Sequence, residues 1–315
     1  MRLRICVLIL CVTSTLTFHA TAQARSKSEA DDVQSLMARV GPPSQVAVDE
    51  FKKAGMQEVR PHKLTAGERA KIEAALTSLP VLNQQVLEKK LHSLAFVDGI
   101  PGEGTGLTSP DANTGQFDIT LRASIVDEPL STFLTTKERR VYTDDGSGTT
   151  ISVTGKGTDA LTYVLLHEST HVVDKTCGIT ADPQSRFTVN IWTGYKQMVP
   201  SLTAVTPTTY FRGGALLPSA NAAAVYGALS QTPFVSLYAT ASREEDFAEL
   251  VAWHEILKRH HGHLKIEVKD GHGKTSKRWE PLTFSLVQKR FADVDELLAT
   301  QACPAPAAVA PVGAV

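Results

Sequence analysis

The segment LTYVLLHESTHVVDK, Leu161 to Lys175, constrains this chain more than any other. Tyr163, Val164, Leu165 and Leu166 precede the polar HESTH, and Val172 and Val173 follow it. Such a run predicts a helix over about 159–174, buried round most of its circumference. A buried helix is a costly place for imidazoles and a carboxylate unless they have partners. His167 and His171 are four apart, so they lie one above the other on one helical face and can aim two nitrogens at one point. Zinc accepts imidazole nitrogen at about 2.0–2.1 Å. Glu168 is one step round the helix, where it can reach a water beside such an ion without being a ligand. This is the H-E-x-x-H arrangement, two ligands and a general base. The plain alternative is a part-exposed helix carrying two incidental histidines.

A catalytic zinc takes three protein ligands and keeps a position open. The third must come from elsewhere. The segment REEDFAEL offers Glu244, Glu245, Asp246 and Glu249 at the start of a second helix, predicted over 243–260. Ser242 stands at its beginning, acids fill its first turn, and Lys258, Arg259 and His260 fill its last, all matched to the helix dipole. Glu245 and Glu249 share a face. If Glu245 is the ligand, Glu249 stands one turn on, where it can accept a hydrogen bond from a ligand histidine. The dipole accounts for Glu244 and Asp246, but not for Phe247, Ala248, Leu250 and Val251, which imply a buried helix. Other clusters are weaker. His260, His261 and His263 have no carboxylate or cysteine at helical spacing, and His254-Glu255 is followed by Lys258 where a second histidine would be needed. No G-x-S-x-G supports serine catalysis.

HESTHVVD, followed 74 residues after its second histidine by EEDFAE, resembles the gluzincin metallopeptidases, and within them the protease domain of anthrax lethal factor and its relatives. The resemblance covers residues 158–260, about a third of the chain. It implies that the glutamate opening E-x-F-A-E, here Glu245, is the third zinc ligand. It implies that a tyrosine seven residues earlier, here Tyr238, assists catalysis, and that the acid ending the first motif, Asp174, supports the site from behind. The family often has glycine before the second histidine, where this chain has Thr170.

The rest of the chain fits an exported enzyme. Its 315 residues include 42% apolar and 21% charged, enough for a proper core. Residues 1–24 combine Arg2, Arg4, an apolar run from Ile5 to about Phe18 and the small-residue sequence ATAQA, which describes a secretory signal peptide cut after Ala24. That run is shorter than the ~20 residues a membrane span needs. The cut removes two positive charges, leaving 30 − 33 = −3, so nothing marks a nucleic-acid or membrane-surface partner. Cys177 and Cys303 remain, able to pair in an oxidising compartment or to stay as buried thiols. Helical stripes are expected at 31–40, at TAGERAKIEAALTSLP with its Thr65–Glu68 capping box, and at about 82–94. Strand period appears at LAFVDGIPG and at Phe117, Ile119 and Leu121, with hairpins expected at RRVYTDDGSGTTISVTGKG and HLKIEVKDGHGKTSKRWEPL. IWTGYKQMV and NAAAVYGAL suggest short helices, LTFSLVQKRFADVDELLA a last amphipathic one.

The expected architecture is α+β: a zincin-like domain over 95–300, with a small sheet from residues 95–155 packed on the HExxH helix. A helical region over 25–94 precedes it and an Ala/Pro-rich tail over 301–315 follows. The expected function is a secreted or periplasmic zinc endopeptidase acting on peptides or proteins, with one Zn²⁺ held by His167, His171 and Glu245. Glu168 and Tyr238 are its catalytic groups, and Glu249 and Asp174 back the ligands. The alternatives are a secreted zinc-binding module without catalysis and a hydrolase of cell-wall peptides.

Overall fold

The computed structural model of the chain describes residues 32–102, 104–206 and 208–304. The expected signal peptide over residues 1–24 and most of the expected tail over 301–315 fall outside the described residues. The elements run α1 (32–38), β1 (Val40–Gly41), α2 (Gln45–Lys53), β2 (Gln57–Pro61), α3 (Ala66–Thr77), α4 (Val81–Lys90), β3 (Leu91–Ile100), β4 (Gly106–Pro110), β5 (Phe117–Arg122), α5 (Leu130–Arg139), β6 (Tyr142–Thr143) and β7 (Thr150–Lys156). There follow α6 (Ala160–Cys177), α7 (Pro200–Val205), β8 (Leu217–Pro218), α8 (Ala222–Leu229), α9 (Arg243–His260), β9 (His263–Lys269), β10 (Thr275–Trp279) and α10 (Ser285–Thr300). The fold is mixed α+β with small sheets.

The main sheet has the order β1-β3-β5-β4, with β2 also on β3. β3 runs parallel to β1 and β5, and β4 is antiparallel to β5. β4 is therefore an edge, and it lies against α6. A second sheet, β10-β9-β7, is wholly antiparallel. The expected hairpin at 139–157 does not form: β6 pairs with β8, and β7 pairs with β9 more than a hundred residues on. The strands expected to form a single sheet from 95–155 are thus divided among three, and the boundary expected at 94/95 falls inside β3. Residues 32–94 bring α1 to α4 but also β1, β2 and the start of β3.

Local chemistry sets the two long helices. On α6 the Asp159 side chain accepts from Thr162 N at 2.7 Å, and Gly178 closes the other end at φ 67°, a left-handed turn that favours glycine. Every residue from Ala160 to Asp174 is buried. On α9, Ser242 caps the Glu245 N–H at 3.2 Å. The two helices pack on each other, and α3, α4 and α5 also pack on α6. One apolar core reaches from Val33 to Leu297 and takes in both. IWTGYKQMV is not helical: Trp192 bridges to Met198, and its indole donates to buried Asp246 at 2.9 Å. Arg290 on α10 binds the same carboxylate through two nitrogens, at 2.7 and 2.9 Å.

A disulfide joins Cys177, at the end of α6, to Cys303, 126 residues on. Closing so long a loop restricts the unfolded chain; the chain-entropy account gives about 5 kcal/mol. The double variant Cys177→Ser/Cys303→Ser is expected to unfold at lower urea, by 2–5 kcal/mol on that scale. A second effect is pH-dependent. Burial raises the Glu138 carboxyl from 4.5 to about 7, although Tyr226 donates to it at 2.6 Å. The folded chain therefore holds this proton more tightly than the unfolded one, so stability falls as pH rises from 4.5 to 7 and is lowest above that. Glu138→Gln is expected to be more stable than wild type at pH 8, by up to about 3 kcal/mol, with no advantage at pH 4.5; urea unfolding at both pH values checks this.

Candidate metal centre

α6 and α9 bring three ligand atoms together. His167 Nε2 lies 2.9 Å from Glu245 Oε2 and 3.1 Å from His171 Nε2, and His171 Nε2 lies 3.5 Å from Glu245 Oε2. A tetrahedron with zinc-to-ligand arms of about 2.0–2.1 Å has edges of about 3.3 Å, which these separations bracket. Two imidazoles and one carboxylate form a donor set zinc accepts, so the residues fit the ion. This is the one such group of histidine, cysteine, aspartate or glutamate among the described residues. The histidines are nearly closed off, whereas the Glu245 side chain keeps 23% of its surface open. The field also favours a cation. Burial works against protonating His167, yet Glu245 and Glu249 beside it raise its pKa to about 10.

Behind His167 stands Glu249, 1% exposed, with Oε1 at 3.2 Å from Nδ1, close but short of a well-aligned hydrogen bond. Ser236 donates to its other oxygen at 2.6 Å, Tyr163 donates to Oε1, and Lys137 approaches at 3.5 Å. Burial pushes this carboxyl up, but Lys137, His167 and Ser236 together hold it at about 2. Tyr163 and Lys137 were not among the residues singled out from sequence. Tyr163 carried a signal, since it stands four before His167 and so on the same face. Lys137, on α5, carried none.

Glu168 faces β4. Thr108 Oγ1 donates to its Oε2 at 2.7 Å, and a Cβ built on Gly106 would lie 2.5 Å from its Oε1. Gly106 thus leaves room for the carboxylate. Gly106→Ala is expected to keep the three ligand atoms in place but to displace Glu168, so zinc content stays near wild type while any hydrolysis falls at least tenfold; parallel metal and rate measurements check it.

Tyr238 lies on a short turn, Tyr238–Thr240, with its ring 5.8 Å from that of His167 and edge-on to Phe211 at 5.1 Å. Burial, Glu245 and Glu168 keep its hydroxyl protonated far into the alkaline range. Asp174 is turned elsewhere: both its oxygens are held by Thr180, through N and Oγ1 at 2.7 Å each, so it fastens the chain leaving α6. Thr170 fits without glycine's freedom. Its hydroxyl bonds Leu166 O at 2.7 Å and receives Asn83 Nδ2 from α4 at 3.2 Å. His260, His261 and His263 do not converge on an ion, and His261 forms the left-handed end of α9.

No family model, curated protein or solved structure matches this chain. Among the described residues no helix is long and apolar enough to cross a membrane.

Proposed function

We propose that this chain is a zinc-dependent endopeptidase of the gluzincin kind, on a zincin-like domain, working outside the cytoplasm. The convergence of His167, His171 and Glu245 from two separate helices supports it most, because two segments 74 residues apart satisfy one ligand geometry. These three residues would hold zinc, which when bound polarises a peptide carbonyl and acidifies water. Glu168 takes the proton of the attacking water and passes it to the leaving amine. Thr108 holds that carboxylate towards β4. The Tyr238 hydroxyl donates to the developing oxyanion, a role worth about 2.7–4 kcal/mol for one donor. Glu249, 3.2 Å from His167 Nδ1, favours the proton on that nitrogen and so leaves Nε2 free for the ion.

An extended substrate is held by strand addition. Phe117–Leu121 and Ile151–Thr154 were the sequence candidates for this edge, but β5 is paired on both sides, and the outer edge of β7 is covered by α5, whose Ser131 and Thr135 hydroxyls bond the Gly155 and Val153 backbone. Among the described residues β4 pairs only with β5, which leaves its other edge without a strand partner, and Gly106 and Thr108 on one of its faces meet Glu168. The Cys177–Cys303 disulfide and the leader-like residues 1–24 favour an oxidising compartment.

The test is direct. Purified protein is expected to carry one equivalent of zinc and to cleave an unfolded protein. A strong chelator abolishes cleavage, and added zinc restores it. Protein that binds one zinc yet cleaves neither unfolded proteins nor peptidoglycan peptides refutes the enzyme assignment and leaves a zinc-binding module.

A further inference from the structure

Lys137 leaves α5 with a side chain only 16% exposed, and its ammonium sits among three rings and a carboxylate. A charge so placed is costly unless it is matched. Glu249 is its match, yet Nζ stands 3.5 Å from Oε1, beyond the ~2.7–2.9 Å of a charge-assisted hydrogen bond. Tyr163 Oη lies at 3.4 Å. The ammonium is drawn instead over the face of Tyr238, with Nζ 3.5 Å from the ring centre, against 5.7 Å for Tyr163 and 6.0 Å for Phe133. A cation on the face of a desolvated ring is a favourable contact. One ammonium thus serves the Glu249 pair and the Tyr238 ring together.

Glu249 reaches Tyr238 by a second route. Ser236 donates to Glu249 Oε2 at 2.6 Å and accepts from Ala239 N at 3.0 Å. Ala239 follows Tyr238 in the short turn that carries it. The backbone of that turn and the face of its ring are therefore both tied to the carboxylate that stands behind His167. Phe211 meets the same ring edge-on.

We propose that Lys137 is a positioning residue for the reaction, acting through Tyr238: it fixes the ring and strengthens the hydroxyl as a donor to the oxyanion. This rests on the peptidase reading. As the hydroxyl shares its proton with the developing oxyanion, negative charge grows on the phenol. An ammonium over the ring lowers the energy of that state more than of the ground state. The plain alternative is that Lys137 only neutralises Glu249.

Two arms separate them. In the first, kcat, KM and zinc content are measured on a peptide that the wild type cuts. Lys137→Met is expected to lower kcat by about 10–100-fold, with KM within about threefold and zinc near one equivalent. In the Tyr238→Phe background the same change is expected to cost under about threefold, because the donor it serves is gone. Lys137→Arg keeps a cation suited to an aromatic face and is expected to stay within about fivefold of wild type. If Lys137→Met does not fold, Lys137→Met/Glu249→Gln removes both charges of the pair and carries the same comparison, with and without Tyr238→Phe.

The second arm needs no turnover. Zinc-loaded protein is titrated with an acetylated, amidated alanine hexapeptide whose central amide is replaced by a phosphinate, an anionic tetrahedral centre. Lys137→Met and Tyr238→Phe are each expected to weaken its binding by about tenfold or more. The ordinary hexapeptide, titrated into Glu168→Gln protein with and without Lys137→Met, is expected to change by less than about twofold. A kcat loss as large in the Tyr238→Phe background as in wild type overturns the inference and leaves the peptidase standing. So does a loss carried by KM or by missing zinc. If the wild type cleaves nothing, the peptidase falls by itself, and the phosphinate decides Lys137. Equal affinity with and without Lys137→Met then overturns its action on Tyr238, and a loss that disappears in the Tyr238→Phe background upholds it.

Discussion

Glu245→Ala is expected to leave the chain folded and empty of zinc. Wild type should retain one equivalent through dialysis; the variant should retain under a tenth. The reason is geometric. His167 and His171 come from one turn of α6, and Glu245 alone among the three arrives from α9. Without it, two ligands remain, and a two-histidine site holds zinc weakly. The loss should exceed the ~10–100-fold that outer-shell changes cost. Glu249→Gln supplies that smaller scale in the same protein, because it leaves the three ligands in place and changes the carboxylate behind them, the partner of His167 Nδ1, Tyr163, Ser236 and Lys137. Folding is not at risk on simple grounds. Glu245 lies in the first turn of α9, with part of its surface open, and alanine is a good helix former there. A thermal melt gives the second measurement. Zinc should raise the Tm of wild type by linkage and leave Glu245→Ala unmoved. Undiminished zinc in Glu245→Ala would remove the carboxylate from the centre, and the placing of Tyr238 beside it would lose its basis.

What could be read in advance follows a physical line. Caps, dipole matching and helical stripes are local, and they place α9 at Arg243–His260 and the Thr65–Glu68 capping box in α3 where the sequence pattern had them. The four residues His167, Glu168, His171 and Glu245 share that advantage, because each sits on a strongly patterned helix. Strand pairing is not local. Residues 142–156 look like a hairpin, with turn residues between strand-forming runs, yet β7 reaches past them to β9. Leu91 and Leu94 continue the stripe of α4 but belong to β3, buried at 1% each, because the core draws them into the sheet. GLTSP has no alternating pattern, so β4 was not visible at all, and with it went Gly106 and Thr108. The polar groups round Glu249 were hidden for the same reason. Lys137, Tyr163 and Ser236 come from three segments, and only the fold puts them on one carboxylate.

The network also separates binding from chemistry, and that separation gives the sharpest test. Glu168→Gln is expected to keep one zinc and to lose hydrolysis by 10²–10⁴-fold, the range for a general acid–base group. Glutamine has nearly the volume of glutamate and can still accept from Thr108, so β4 and α6 should stay in register. None of the three ligand atoms is touched. What is lost is the basicity that takes the water's proton. The fall should therefore appear in kcat, with KM little changed, because Glu168 acts on the reacting atoms and not on the remote parts of the peptide. Tyr238→Phe gives the contrast: removing one oxyanion donor should cost 10²–10³-fold in kcat, also with zinc retained. If Glu168→Gln cleaves as fast as wild type while binding the same zinc, then the carboxylate beside Gly106 is a structural anchor for β4, and the proton must travel through another group.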